Sequence, residues 1–327
     1  MKILGIETSC DETAAAIVEN GTKILTNVVA SSVEFHQKTG GIIPEVAARE
    51  QLRCLIPVIK EALADIKIDA LAVTVGPGLI GSLLVGVETA KTLASVWQKP
   101  IIPINHLQAH LYANWLISPR KKPKFPALGL VASGGHTDLI LMKNHSQIKW
   151  LGGTRDDAAG ECFDKCARLL GLGYPGGPAI SAVAKKFPKG IKLPRPMLYE
   201  DNFDFSFSGL KTAVLAEVKK QKNINPALLA DEIQEAITDV LVAKTKKAAR
   251  KYKVASILLS GGVTANPRLR EKSKLAFNHP QLFIPPPKLC TDNATFVASC
   301  VYFNYQSVPW QKIQADPSLG IEEMIKS

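Results

Sequence analysis

Lys2-Ile3-Leu4-Gly5-Ile6 and Ala14-Ala15-Ala16-Ile17-Val18 are short apolar runs separated by the polar stretch Glu7-Thr8-Ser9-Cys10-Asp11-Glu12-Thr13. Two such runs around a polar turn predict adjacent β-strands joined as a hairpin. The pattern returns about 125 residues later. There Ala127 to Ala132 is apolar, Ser133-Gly134-Gly135-His136-Thr137 is a turn, and Asp138 to Met142 contains the second apolar run. A hairpin repeated at that distance implies a duplicated architecture.

Further apolar runs and helix-like segments follow each hairpin. Leu71 to Val75 leads into Gly76-Pro77-Gly78 and a small-residue helix from Leu79 to Trp97. Ser256 to Leu259 leads into Ser260-Gly261-Gly262 and a helix beginning near Asn266. Strand, glycine turn and helix in that order point backbone N–H groups at an anion. Glycine turns also simply end strands, so it is their recurrence that favours a nucleotide ligand. The alternation gives an α/β class, with two lobes sharing a central cleft. The stretch from Ala184 to Phe205, rich in Lys and Pro, is expected to be an irregular, exposed connection.

His106-Leu107-Gln108-Ala109-His110 places two imidazoles four residues apart. On a helix they share one face, about 5–6 Å apart at Cβ, within reach of one metal ion. Asn105 suits the N-cap, and no breaker interrupts His106 to Ile117. A metalloprotease pattern needs Glu directly after the first His, and Leu107 stands there. The pair therefore reads either as a metal site lacking that hydrolytic base or as two ordinary helix histidines.

Of the 327 residues, 46% are hydrophobic and 21% charged, the balance of an ordinary globular protein with room for two cores. No stretch approaches the ~20 apolar residues of a membrane span, and charge interrupts the N-terminus before a signal core forms. A cytoplasmic protein with no membrane partner is expected. Six scattered cysteines without a Cys-x-x-Cys pair read as reduced thiols, with Cys162 and Cys166 as buried apolar groups. The net charge of +11 gathers at 120–124, 185–195 and 244–253. In the last cluster Lys244, Lys247 and Lys251 would form a helical stripe compatible with RNA or with a solvated face.

Ile6-Glu7-Thr8-Ser9-Cys10-Asp11-Glu12-Thr13 resembles the opening signature of the TsaD family, the tRNA threonylcarbamoyladenosine synthases once described as O-sialoglycoprotein endopeptidases. The resemblance continues through Gly40 to Glu45, Gly76-Pro77-Gly78, the two histidines, Ser133 to Thr137 and Asp156 to Glu161. It then takes in Phe163-Asp164-Lys165, Gly171 to Pro178, Phe205 to Thr212, Gly261 to Asn266 and Cys290-Thr291-Asp292-Asn293, in family order.

The resemblance implies an actin/Hsp70/sugar-kinase-like (ASKHA) fold of duplicated ribonuclease-H-like domains. One lobe would be 1–108 with about 293–327 packed back on it; the other, 109–292, would complete an interlobe cleft with the metal and nucleotide site. The implied reaction moves threonylcarbamoyl from threonylcarbamoyl-AMP to N6 of the adenosine 3′ of the anticodon in tRNAs reading ANN codons, releasing AMP. His106, His110 and Asp292 would ligate one divalent metal, Fe(II) favoured and zinc possible. Asp292 is otherwise an N-cap for a helix starting near Asn293.

Ser133, Gly134, Gly135, His136 and Thr137 would wrap the adenylate phosphate; Asp164, Gly177 and Asn266 would hold the nucleoside. Asn266, ahead of Pro267, is also a helix cap. Asp11 and Glu12 would sit near the transfer centre, where either accepts the amine proton or orients a water; otherwise they are turn carboxylates bonded to nearby N–H groups. Implied partners are TsaB-like and TsaE-like proteins, or a second copy in a homodimer. Two departures stand out. Gln108 replaces a Glu common between the histidines, removing a carboxylate beside the metal, and Gln51 replaces a common His. The competing classes are an ATPase or kinase of the same superfold, which needs no paired histidines, a metalloprotease, and a non-catalytic scaffold subunit, which would lack the metal constellation.

Overall fold

A computed structural model describes residues 1–118, 120–185, 191–220, 225–277 and 281–323. Its chain divides into two units, Met1–Lys122 with Thr291–Ser327, and Pro123–Cys290. In the first unit, β1 (Lys2–Glu7), β2 (Glu12–Glu19) and β3 (Lys23–Ser31) form an antiparallel meander. After α1 (Val33–Thr39) and α2 (Pro44–Leu63), β4 (Ala70–Gly76) joins parallel to β1. After α3 (Ile80–Trp97), β5 (Ile101–Asn105) joins parallel to β4 and runs straight into α4 (His106–Tyr112). The sheet order is β3-β2-β1-β4-β5.

The second unit repeats this plan. A meander of β6 (Ala127–Ala132), β7 (Thr137–Met142) and β8 (Ile148–Gly153) is followed by α5 (Ala159–Leu169), α6 (Gly176–Val183), α7 (Ser208–Lys220) and α8 (Pro226–Tyr252). Next come β9 (Ser256–Ser260), α9 (Pro267–Ala276) and β10 (Gln281–Phe283). The order β10-β9-β6-β7-β8 matches the first sheet strand for strand. The last helix, α10 (Ala294–Phe303), belongs to the first unit.

Strand parity decides where α10 sits. Leu4, Ile6, Ala15 and Ile17 share a core with Leu55 and Val87 of α2 and α3. Gly5, Ala14 and Ala16 point the other way, toward Ala294. A Cβ on Gly5 would lie 2.4 Å from the Ala294 carbonyl oxygen, so the missing side chain lets α10 lie directly on the sheet. That contact brings the residues just before α10 to the ends of β1 and β5.

The division falls at 122/123, later than 108/109, for a packing reason. The helix begun at His106 gives way after Tyr112 to a 3₁₀ turn, Ala113–Trp115, short of Ile117. Tyr112 stacks on Phe303 of α10 at 5.7 Å, and Trp115 lies 5.9 Å from the same ring. The segment after the histidines is thereby bound into the first unit. Among the described residues no helix is long and apolar enough to cross a membrane. Residues 186–190 of the basic cluster at 185–195, and 324–327 of the final segment, lie outside the described residues.

Candidate functional site

The turn after β1 and the helix after β5 meet because β4 lies between their strands and sets both registers. Asn105 caps α4, its Oδ1 accepting from the N–H groups of Leu107 and Gln108 at 3.0 and 3.2 Å. The cap holds His106 and His110 on one buried face, with Nε2 atoms 3.2 Å apart. Asp292 Oδ1 lies 3.1 Å from His110 Nε2 and 3.8 Å from His106 Nε2. Asn293 makes the cap of α10, accepting from Thr295 N–H, so capping is not the work of Asp292.

Behind this trio stands Glu7, fully buried, whose Oε2 is 3.1 Å from His106 Nδ1 and accepts from the Thr74 hydroxyl at 2.6 Å. Its Oε1 accepts from Ser9 N–H at 2.6 Å. A carboxylate on Nδ1 keeps a proton there and turns His106 Nε2 toward His110 and Asp292, so that loss of its second proton would present the Nε2 lone pair to an ion.

The donor set fits a divalent ion. Ligands about 2.0–2.2 Å from one tetrahedral ion stand roughly 3.3–3.5 Å apart, near the spacings here. The three ligand atoms lie within 4.8 Å of one another.

The surrounding charge agrees. Burial raises the Asp11 carboxyl, and Asp292 adds to it. Burial, then Asp11 and Asp292, push Glu12 to about 8 against the Ser31 hydroxyl that bonds it. Burial would strip His106 of its proton, but Glu7 and Asp292 outweigh it and raise it to about 9; burial and His106 lower His110. Acidic groups thus crowd this site, and in the ion-free chain a protonated His106 between Glu7 and Asp292 carries the balancing charge that a divalent ion would supply. Glu12 Oε2 and His110 Nδ1 are buried without a hydrogen-bond partner.

Both departures have local explanations. Gln51 is buried in α2, and its Nε2 donates to the carbonyls of Cys10 and Glu12 at 2.9 and 3.2 Å, pinning the acidic turn. Gln108 Nε2 donates to the Ile321 carbonyl at 2.7 Å. The buried carboxylate beside a histidine comes from Glu7, which the sequence reading left without a role; the absence of Glu at 108 therefore does not deprive the histidines of one.

In the second unit Ser133 N–H donates to the His136 carbonyl, and Ser133 Oγ accepts from His136 N–H, closing a tight turn at 2.8 and 3.2 Å. α5 seals it from beneath: Gly160 N–H donates to the Ser133 carbonyl, and Ala159 N–H to Thr137 Oγ1. Thr137 is fully buried, so it braces the turn from below. A Cβ on Gly134 or Gly135 would meet no atom of a described residue beyond its chain neighbours within 4 Å, so that face lies open.

Asp164 Oδ1 accepts from Gly176 N–H at the start of α6, beside the equally open Gly177. Asn266 caps α9 through Arg268 and Leu269 N–H and donates to Gln234 Oε1 at 2.9 Å.

The predicted stripe at 244–251 does not form an RNA face. Lys244 is buried, donating to Asn202 O and Oδ1 at 3.0 Å; Lys247 pairs with Asp201 at 2.7 Å; Lys251 lies over the Phe203 ring. These contacts hold down a segment expected to be exposed, where Phe203 and Phe205 are in fact core residues. Cys162 and Cys166 are free and buried, as expected.

A family model described as "TsaD: tRNA N6-adenosine threonylcarbamoyltransferase" matches residues 23–299. A curated protein named tRNA N6-adenosine threonylcarbamoyltransferase from Dehalococcoides mccartyi is 49% identical over 332 residues, covering 98% of this chain and 99% of its own. One of the same name from Symbiobacterium thermophilum is 51% identical, covering 98% and 96%. Among solved structures, full-length HypF in its phosphate- and nucleotide-bound form gives a TM-score of 0.60 at 12% identity, over 93% of this chain and 55% of its own. Component A of the Acidaminococcus fermentans (R)-2-hydroxyglutaryl-CoA dehydratase gives 0.57 at 15%, over 92% and 98%. These likenesses bear on fold alone, and they agree with the duplicated ASKHA plan.

Proposed function

The chain belongs to the TsaD family of tRNA N6-adenosine threonylcarbamoyltransferases, and from that premise we propose how it carries out the transfer. The donor is threonylcarbamoyl-AMP, and the acceptor is N6 of the adenosine 3′ of the anticodon in tRNAs reading ANN codons. N6 attacks the carbamoyl carbon, a C–N bond forms, and the bond to the phosphate oxygen breaks. AMP leaves with the electron pair, and the amine proton passes to a carboxylate. Because the donor is a mixed anhydride and N6 shares its lone pair with the purine ring, positioning and charge stabilisation are the main demands.

The observation that carries this site reading is the convergence of His106, His110 and Asp292 on one point. They would hold one divalent ion, Fe(II) favoured and zinc possible, with Glu7 orienting His106. When bound, that ion supplies positive charge that stabilises the donor's carbonyl or leaving phosphate. Asp11 and Glu12 act as proton acceptors; a carboxyl raised to about 8 is matched to proton transfer near neutral pH. The cradle from Ser133 to Thr137 receives the phosphate, with backbone approach at Gly134 and Gly135. Asp164, Gly177 and Asn266 hold the nucleoside.

The protein works in the cytoplasm with a TsaB-like partner and a TsaE-like ATPase, or as a homodimer. Leu52 and Ile56 on α2, and Ile80 and Leu84 on α3, support a docking face; they are 45–67% exposed on two helices that pack side by side. The test is transfer from threonylcarbamoyl-AMP to an unmodified tRNA, read by nucleoside mass spectrometry, with and without partners and metal. Metal-dependent product is expected. Bound adenylate with no product under any condition would overturn the reading.

A further inference from the structure

Resting on the reading that the substrate is a tRNA, we propose that a basic trough on the second unit grips that tRNA's sugar–phosphate backbone. The trough lies between the last turns of α8, the end of α9 and the start of β10. It encloses about 890 Å³, and Lys124, Lys246, Arg250 and Lys253 supply its charge, with Gln281 also in its lining and no carboxylate among the described lining residues. Lys246 and Arg250 are spaced i, i+4 on one face of α8, and Lys253 is the left-handed residue that ends the helix. None of the four cations is in an ion pair with a described residue, whereas Lys247 and Lys251 on the adjoining face are engaged by the segment at 201–203.

A second hollow of about 760 Å³ shares Lys246, Leu275 and Ala276 with the first and so continues it. There the cations are already compensated: Arg195 by Glu232 and Asp239, Lys272 by Glu235 and Asp239. That hollow offers Tyr199 instead, 94% exposed. Uncompensated cations running toward an exposed aromatic ring suit phosphates followed by an unstacked base.

The trough is separate from the phosphate cradle. Val254 and Ala255 line it just before β9, whereas the cradle follows β6, the parallel neighbour of β9, at its other end, roughly 16 Å away. Contacts here seat the body of the RNA and leave the reacting base to other residues. Removing them should therefore change KM for tRNA and spare kcat.

The test is anisotropy of a labelled, unmodified tRNA transcript with the full chain across a salt series, alongside steady-state transfer. The variant carrying Lys246→Gln, Arg250→Gln and Lys253→Asn removes three charges; Asn tolerates the left-handed backbone at 253, where φ is 47°. Affinity and KM should worsen roughly 10- to 100-fold, and the slope of log K against log salt should lose about 2–3 units. A matched variant with Lys185→Gln, Lys192→Gln and Lys219→Gln should bind as the wild type does. Unchanged affinity and slope in the trough variant, or equal losses in both variants, would overturn the proposal. So would a trough variant that loses a polyglutamate probe and keeps tRNA. Wild-type protein that binds tRNA through the trough yet forms no product would instead refute the transferase reading and leave the trough standing.

Discussion

The turn between β1 and β2 and the turn between β6 and β7 occupy equivalent places in two sheets of identical strand order, yet they are built from opposite materials. The first is acidic and sealed: Glu7 and Ser9 are buried, Gln51 pins the carbonyls of Cys10 and Glu12, and three carboxylates, Glu7, Asp11 and Glu12, stand within six residues. The second is small and open, with glycines whose absent side chains would touch nothing. One turn gathers carboxyl groups, the material of the proposed cation site. The other exposes backbone, the material of the proposed phosphate site. A duplicated scaffold thus supplies two complementary electrostatic demands of an acyl-phosphate transfer from the same position in each copy.

The comparison breaks first at His110. Replacing it with Ala removes one of the three proposed ligands from the acidic side and, on that reading, several kcal/mol of charge stabilisation, about a 10³-fold loss of transfer. Metal analysis should show an ion-free protein whose circular dichroism is unchanged. A metal-free variant that transfers at the wild-type rate would remove the cation from the account of the first turn.

Glycine substitutions separate the two turns next. Gly135→Ala places a methyl in open space, so the melting temperature should hold while adenylate binding weakens roughly 10-fold or more, since displaced backbone contacts are charge-assisted. Gly86→Ala behaves oppositely: its Cβ would lie 2.2 Å from Thr8 Oγ1, beneath the acidic turn, and should cost about 1–3 kcal/mol of stability. Calorimetric titration with a non-hydrolysable adenylate and thermal melts distinguish the cases. Equal destabilisation by both would mean the second turn is packed like the first.

Much of this contrast can be read in the chain before folding, because hairpins, glycine turns and caps are local. Asn105 and Asn266 announce their helices by residue type and position, and the recurrence of an apolar–polar–apolar run announces the duplication. Glu7 is different. Nothing near residue 7 says that it will brace His106; the pairing exists only because β4 sets two parallel registers at once and offers Thr74 to the same carboxylate. The lysine stripe failed for a related reason. Spacing identifies a helix face but not whether solvent or chain covers it, and at Lys244 the covering segment is more than forty residues away in sequence. Gln51 and Gln108 look like lost functional groups when compared by type; in place, each is an amide tying down a carbonyl.

Glu7→Gln tests that long-range brace with a smaller effect. Volume is kept and the charge on His106 Nδ1 is removed, so metal affinity should fall about 10- to 100-fold, with transfer recovered in excess metal. A variant that binds metal as tightly as the wild type would reduce Glu7 to a buried hydrogen-bonding group.

The smallest effect is the most specific to the acidic turn. Glu12 keeps its proton to about 8 in the folded chain against an ordinary 4.5, because burial disfavours its charge and Asp11 and Asp292 oppose it. A carboxyl raised on folding favours the folded state fully below the unfolded value, and that contribution is lost as pH rises through the folded value. In chelated protein, Glu12→Gln should therefore melt like the wild type near about pH 4.5 and above it by about pH 8, by on the order of a few °C. Added metal should narrow the gap, since a cation beside Asp292 relieves the repulsion that makes ionised Glu12 costly. A gap of the same size at both pH values would show that folding does not raise the Glu12 pKa, and the crowding of Glu12 against Asp11 and Asp292 would then drop out of the account of the first turn.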